Sequence, residues 1–135
     1  MDPRHEYEIE LVVHSDDIDE LDHVNNAVYL QYVEQVARAH SDSLGFTVEH
    51  WFRTKGIPVV RRHTIVYHLP ARDGDTLRVH TRIKSMKGVR AVRATSITRD
   101  GVPVVDVETE WVWVEPTTQR PMRIPSDVLA AFVAS

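Results

Sequence analysis

The order of the hydrophobic patterns is the feature that most constrains how this chain can fold. Between residues 26 and 44 the apolar side chains recur every three or four positions, which is typical of a helix that buries one side. After Pro58 the spacing changes to two, which is typical of strands. One long early helix followed by consecutive strands favours an α+β fold over a parallel βαβ fold.

Short turns between the strand candidates indicate an antiparallel sheet. Lys87-Gly88 and Asp100-Gly101 are residue pairs that favour hairpin turns. The strands are predicted at residues 6–14, 59–69, 76–85, 89–98 and 102–115. We therefore expect a sheet of about five strands with the long helix lying across one face.

Smaller elements complete the predicted domain. A second, short helix is predicted at residues 47–55, and Ser126 is expected to cap a short terminal helix. Trp111 and Trp113 share one face of the last strand, where they are expected to pack in the core or an interface. A chain of 135 residues suits a single domain, which we assign to residues 1–135.

Composition argues against several classes of protein. The formal net charge of −4 disfavours general binding to nucleic acids or anionic membranes. The absence of cysteine removes disulfides, thiolate nucleophiles and cysteine-based zinc sites, and it fits a reducing compartment. No apolar run approaches the length of about 20 residues that a membrane span needs, and the charged N-terminus MDPRHEYEIE lacks a signal core. We expect a cytoplasmic protein with no nucleic-acid or membrane partner.

Familiar cofactor and metal motifs are missing from the sequence. The five glycines are isolated, which argues against phosphate-binding loops and dinucleotide fingerprints, and neither Gly-x-Ser-x-Gly nor His-Glu-x-x-His occurs. His63 and His68 are five apart in a strand, so they are predicted to point to opposite faces. Asp17-x-Asp19 begins like a calcium loop, but the glycine and the final glutamate are replaced. We expect no metal and no cofactor.

The acidic stretch SDDIDELDHVNN, immediately before the long helix, has two interpretations. A helix start leaves backbone N–H groups unpaired and carries about half a positive charge. Asp19, Asp22, Asn25 and Asn26 could simply cap and complement that end. Alternatively, the N–H groups polarise a carbonyl oxygen, and the loop residue Asp19 attacks the carbonyl carbon or activates water beside it. Both interpretations can hold for different residues.

The segment DELDHVNNAVYLQYVEQVAR resembles the Asp-x-x-x-His-Val-Asn-Asn-x-x-Tyr-Leu signature of hot-dog-fold thioesterases. It is most similar to the acyl-CoA thioesterases grouped with 4-hydroxybenzoyl-CoA thioesterase, and the similarity extends over residues 7–125. The resemblance implies an antiparallel sheet wrapped around a central helix. It also implies hydrolysis of acyl-CoA, and a homodimer or homotetramer with active sites at the subunit interface.

Three residues take roles from this resemblance. Asp19 matches the family's catalytic carboxylate, as nucleophile or general base, and His23 matches the motif histidine. Asn26 occupies the position whose backbone N–H meets the thioester oxygen. Leu21 stands where the acyl-carrier-protein thioesterases have asparagine, which disfavours a carrier-protein substrate. Asp22 also departs from the family pattern.

Several side chains have both a structural and a functional interpretation. Glu34 could be a helix-borne catalytic carboxylate, but its four-residue spacing to Arg38 favours a surface ion pair. Four arginines could meet the phosphates of coenzyme A, although solvated strand positions are favoured for them: Arg61, Arg62, Arg90 and Arg93. The alternative functions are a non-catalytic acyl-CoA-binding domain, a hot-dog hydratase or dehydratase, and an acyl-carrier-protein thioesterase.

Overall fold

The computed structural model describes residues 1–132, so the last three residues of the predicted domain lie outside the described part. Its strands are β1 (Glu6–Val12), β2 (Ile57–Tyr67), β3 (Thr76–Lys87), β4 (Arg90–Arg99) and β5 (Val102–Val114). Its α-helices are α1 (Val28–Ser43), α2 (Val48–Arg53) and α3 (Ser126–Ala131), and a 3₁₀ turn covers Ser15–Asp17. The predicted α+β order is confirmed.

The five strands form one antiparallel sheet in the order β1-β3-β4-β5-β2. The hairpins β3–β4 and β4–β5 turn where the sequence predicted them, and Gly88 and Gly101 have φ angles of 63° and 78° there. Such left-handed angles are open to glycine at little steric cost. The chain thus places β1 and β2, the two strands nearest α1 in sequence, at opposite edges of the sheet.

Helix α1 lies against one face of the sheet because its apolar stripe matches the inward positions of the strands. Val33 and Val36 on the helix are buried, as are Leu77 on β3 and Ile97 on β4. Burying each such side chain contributes about 1.5–3 kcal/mol. A charge at Val36, which is completely buried, would therefore disrupt the central contact between helix and sheet.

The opposite face of the sheet carries cross-strand ion pairs. Lys84 lies 2.7 Å from Glu108, and Arg78 lies 2.8 Å from Glu8. Pairs this exposed contribute little individually, but they keep the face polar. The two strand histidines lie on opposite faces, as predicted. His63 contacts the fully buried Thr109. His68 contacts the exposed Asp106.

Two predictions about helix ends are wrong. Helix α1 begins at Val28 and not at residue 26, because Asn25 forms a turn: its Oδ1 accepts the Ala27 N–H across 2.9 Å and its carbonyl accepts the Val28 N–H across 2.8 Å. Ser126 does not cap α3. It is the first residue of that helix, Pro125 precedes it, and no side chain within residues 1–132 caps the end. Among the helices described, none is long and apolar enough to cross a membrane.

Candidate active site

The acidic stretch ahead of α1 folds into a short closed loop. Ile18 and Val24 form an isolated bridge across its base, and the Asp19 N–H donates to the His23 carbonyl across 2.8 Å. Asp22 at the tip has a φ of 65°, a left-handed conformation that aspartate adopts more readily than most residues. The loop therefore has a defined shape although it belongs to neither helix nor sheet.

The Asp19 carboxylate is held by the backbone of this loop. Asp19 is half-buried, and its Oδ1 accepts the Leu21 N–H across 2.9 Å and the His23 N–H across 3.3 Å. Hydrogen bonds of this local type orient an aspartate side chain within a turn. The hypothesis that Asp19 caps the helix is wrong, since its carboxylate accepts hydrogen bonds from the loop backbone and no side chain in the described part of the chain caps α1.

His23 meets Asp19 through the main chain and not through its ring. The His23 N–H donates to the Asp19 carboxylate, and the His23 carbonyl accepts the Asp19 N–H. The half-buried imidazole has no hydrogen-bond partner within residues 1–132. The structure thus brings the two predicted residues together and leaves the ring available to a ligand.

Asn26 lies in the turn that leads into α1 and is exposed. Its carbonyl accepts a hydrogen bond from the Tyr67 hydroxyl across 3.0 Å, while its N–H has no partner within residues 1–132. The N-terminal end of a helix is electropositive because its first N–H groups lack partners in the helix. The backbone of Asn26 is therefore a free donor at the positive end of α1.

Two buried tyrosines of α1 form hydrogen bonds with the loops around its N-terminal end. The Tyr32 hydroxyl donates to Asp17 across 2.8 Å, and Asp17 in turn accepts the Asn25 N–H with its carbonyl. Tyr29 accepts the Ala71 N–H across 3.1 Å with its hydroxyl. Burial raises the pKa of Tyr32, and the hydrogen bond to the Asp17 carboxylate raises it further, so the hydroxyl remains a donor at neutral pH.

A cavity of about 540 Å³ lies between the second half of α1, α2 and the sheet. Its walls are mainly apolar and include Ala37, Phe46, Trp51, Ile83, Trp113 and Phe132. Trp113 is buried in the core, as predicted, whereas Trp111 is half-buried, packs against that core and also lines the cavity. Asp19, His23 and Asn26 are not among the lining residues. Within one chain, the acidic loop and the cavity are therefore separate features.

Arg93 is the residue whose place the sequence analysis missed. It was expected at a solvated strand position, but its exposed fraction is 6% and it lines the cavity. The signal was present in the strand pattern, because Arg93 shares the inward parity of Ala91, Thr95 and Ile97 on β4.

The other three candidate arginines surround one carboxylate on the outer face of the sheet. Glu110 lies 3.4 Å from Arg61, 3.1 Å from Arg62 and 3.1 Å from Arg90. Burial acts to raise the pKa of Glu110, but the Arg62 hydrogen bond and the neighbouring positive charges outweigh it and leave that pKa lowered. These arginines occupy exposed strand positions, as predicted.

Glu34 does not form the expected ion pair with Arg38 within the described residues. It lies instead close enough to His63 for its charge to matter. Burial lowers the pKa of His63, and the Glu34 carboxylate offsets part of that effect. His63 on β2 is thus a titratable neighbour of Glu34, and the sequence spacing did not predict this proximity.

Comparison with known proteins places these features in a family. The sequence model of the Thioesterase-like superfamily matches residues 13–132. Acyl-acyl carrier protein thioesterase ATL2 of Arabidopsis thaliana is 31% identical, over 93% of this chain and 68% of that protein. Acyl-CoA thioester hydrolase YbgC of Escherichia coli is 27% identical, over 89% of this chain and 90% of that protein.

Solved structures agree in fold. The 1,4-dihydroxy-2-naphthoyl-CoA thioesterase of Synechocystis matches with a TM-score of 0.86 at 17% identity, covering 93% of this chain and 94% of that one. A five-stranded antiparallel sheet laid around one long helix, as in such structures, defines a hot-dog-fold protein. The chain belongs to the Thioesterase-like superfamily, as its Asp-to-Asn-Asn motif indicated.

Proposed function

We propose that this protein hydrolyses acyl thioesters of coenzyme A to the free acid and CoA. The observation that carries the proposal is that the short segment 19–26, which leads into α1, holds both an oriented carboxylate and a backbone donor that has no partner within residues 1–132. The loop backbone orients the Asp19 carboxylate, and the Asn26 N–H at the positive helix end lacks a partner within residues 1–132. A thioester carbonyl needs both a nucleophile or base and a donor for its developing negative charge.

In the reaction, the thioester oxygen accepts the Asn26 N–H, which stabilises the oxyanion. By one route the Asp19 carboxylate takes a proton from water, the resulting hydroxide attacks the acyl carbon, and the C–S bond breaks as the thiolate leaves and takes up that proton. By the other route the carboxylate attacks directly, the thiolate leaves, and water hydrolyses the mixed anhydride. Each route consumes one water and requires Asp19.

His23 has a positioning part in this proposal. Its main chain makes two hydrogen bonds with Asp19, one to the carboxylate and one from the Asp19 N–H. Its imidazole, which has no hydrogen-bond partner within residues 1–132, is available to contact the substrate. A substitution that removes only the ring therefore tests substrate contact without removing the backbone hydrogen bonds.

The proposed enzyme is a homodimer or homotetramer with active sites between subunits. Strand β2 is an edge strand of eleven residues, so one side of its backbone has no strand partner within residues 1–132. Long exposed edges invite pairing with a second chain. The other edge strand, β1, is shorter and carries Glu6, Glu8 and Glu10, a pattern that discourages strand addition.

A carrier-protein thioester is the second candidate substrate. The favouring observation is the 31% identity to the Arabidopsis acyl-acyl carrier protein thioesterase, against 27% for the acyl-CoA hydrolase. Against this candidate, Leu21 stands where the carrier-protein thioesterases have asparagine. The rates of hydrolysis of the same acyl group, attached to CoA in one assay and to the carrier protein in the other, would show which of the two substrates the protein prefers.

The deciding experiment measures thiol release from short aliphatic, long aliphatic and aryl acyl-CoA substrates. We expect catalytic turnover, with many thiols released per chain. Stoichiometric binding without turnover would instead support a non-catalytic acyl-CoA-binding domain. Water addition to an enoyl-CoA with the thioester intact would support a hydratase. The same panel also defines the acyl preference.

A further inference from the structure

Arg93 is a buried cation without a counter-ion in the described part of the chain. Its Nη1 donates to His40 Nδ1 across 2.8 Å and to Thr81 Oγ1 across 3.2 Å. These are the only hydrogen bonds of this side chain within residues 1–132, and no carboxylate there forms an ion pair with it. Burying an unpaired charge is costly, so such a charge normally has a partner.

His40 does not neutralise this charge. Its Nε2 contacts the Pro3 carbonyl, which can only accept, so Nε2 carries the proton and Nδ1 is the acceptor for Arg93. Burial lowers the pKa of His40 to about 4, and the charge of Arg93 adds to that effect. Burial also lowers the pKa of Arg93 to about 10, which leaves the guanidinium charged at neutral pH. The pair therefore carries one net positive charge.

This charge lies at the inner end of the cavity described above. Arg93, Ile83 and Trp113 are buried, whereas Phe52 at the rim is 85% exposed and Val48 is 50% exposed. The walls between them are mainly apolar, and the volume of about 540 Å³ is typical of small-molecule sites. The rim also carries Glu34, Arg38 and Asp42, but these side chains are exposed and largely screened by water.

Two further donors at the cavity lack partners. The indole Nε1 atoms of Trp111 and Trp113 are buried, and neither has a hydrogen-bond partner within residues 1–132. Both atoms are covered by protein, so a ligand in the cavity meets the indole rings and not their N–H groups. Among the described polar groups that line the cavity, the Arg93 guanidinium is the buried cation that requires an acceptor with negative charge.

We propose that the cavity binds a free carboxylic acid with an apolar body, in its anionic form. The carboxylate lies on the Arg93 guanidinium, and the apolar body extends along the aromatic walls toward Phe52. A thioester carbonyl is neutral and does not supply the charge that Arg93 lacks. The acidic loop is also not part of the cavity lining, so the proposed site is distinct from the hydrolytic one.

Titration calorimetry with octanoate and 1-octanol tests this assignment, because the two ligands share a body and differ in charge. We expect octanoate to bind once per chain and about tenfold or more tighter than 1-octanol, as the gain from a charged hydrogen bond implies. Arg93→Met should remove the preference, and Arg93→Lys should keep it. Arg61→Met, at an exposed arginine on Glu110, should leave it unchanged.

Equal affinity for the two ligands, or an Arg93→Met protein that binds octanoate like the wild type, would overturn the proposal. Should Arg93→Met fail to fold, the wild-type protein still decides through the NMR signals of the Trp111 and Trp113 indole N–H groups. These signals should shift on saturation with octanoate, and unmoved signals would also overturn the proposal. Asp19→Asn should bind octanoate normally, which separates this site from the proposed hydrolase activity.

Discussion

The His23 N–H donates to Oδ1 of Asp19 across 3.3 Å, so the aspartate of the motif is oriented by the backbone of the motif histidine. A second N–H, that of Leu21, donates to the same oxygen across 2.9 Å. Both hydrogen bonds need an acceptor oxygen but not a negative charge. The geometry of the loop and the chemistry of the carboxylate can therefore be separated by mutation.

Asp19→Asn keeps the Oδ1 acceptor and removes the carboxylate. We expect kcat to fall by about 100-fold or more, the usual scale for losing a general base or nucleophile, with the melting temperature nearly unchanged. Thiol release under saturating acyl-CoA measures the loss. Asp22→Asn is the matched control, since it removes a charge from the same loop at a φ of 65° that asparagine also tolerates. A folded Asp19→Asn protein with wild-type turnover would refute the assignment.

Tyr32→Phe removes the hydroxyl that donates to Asp17 across 2.8 Å. Because this bond ties the acidic loop to α1, we expect a loss of about 1–3 kcal/mol in the free energy of unfolding. We also expect a lower kcat with little change in KM, since the loop that carries Asp19 is less well held. Urea denaturation and steady-state kinetics measure the two effects.

Tyr7→Phe provides the control for Tyr32→Phe. Tyr7 is partly buried and stacks on His40, but its hydroxyl has no hydrogen-bond partner within residues 1–132. Removing this hydroxyl should change neither stability nor kcat appreciably. Equal effects of the two substitutions would show that the bond to Asp17 has no special part in holding the loop.

Burial of His40 predicts a stability that depends on pH. The pKa of His40 is lowered to about 4 by burial and by Arg93, while the ordinary value of 6.5 applies to the unfolded chain. Below pH 6.5 the unfolded chain binds a proton at His40 that the native state does not bind. The free energy of unfolding is therefore highest above pH 6.5 with respect to this group, and it decreases as the pH falls toward 4. We expect a total decrease of about 3 kcal/mol.

Urea denaturation across this pH range measures the effect, and His40→Gln serves as the comparison. Glutamine cannot gain the proton, so the variant should show a shallower decline in unfolding free energy with acidification than the wild type. Identical slopes for the two proteins would assign the acid sensitivity to other groups, such as Glu6, whose pKa is lowered mainly by its hydrogen bond with His80.

Because β2 is an edge strand, we predict that the protein assembles through this strand into a homodimer or homotetramer. Light scattering should give at least twice the mass of one chain. Val66→Lys places a charge at a half-exposed position on this edge strand and should shift the protein toward monomer, with loss of activity if the sites lie between subunits. Val102→Lys, at a similarly exposed valine by the β4–β5 turn, should leave the assembly intact. A wild-type monomer would contradict the proposed interface.

The sequence by itself determined the elements and the motif. The period-three-to-four pattern around Val33 and Val36 and the alternation along β3 are local consequences of which side each residue buries, so they can be read from spacing. The turn at Gly88 is equally local, because a left-handed angle favours glycine. The Asp19-to-Asn26 motif marked the loop for the same reason, since its hydrogen bonds join residues close in sequence.

Only the tertiary structure decided the features that depend on distant partners. The strand order β1-β3-β4-β5-β2, which leaves β2 at an edge, follows from packing across the whole sheet and not from any single segment. Arg93 has the inward parity of its strand, but its partners within residues 1–132, His40 and Thr81, come from other elements of the fold. Long-range packing also creates the cavity, because a void exists only where several elements fail to fill the space between them.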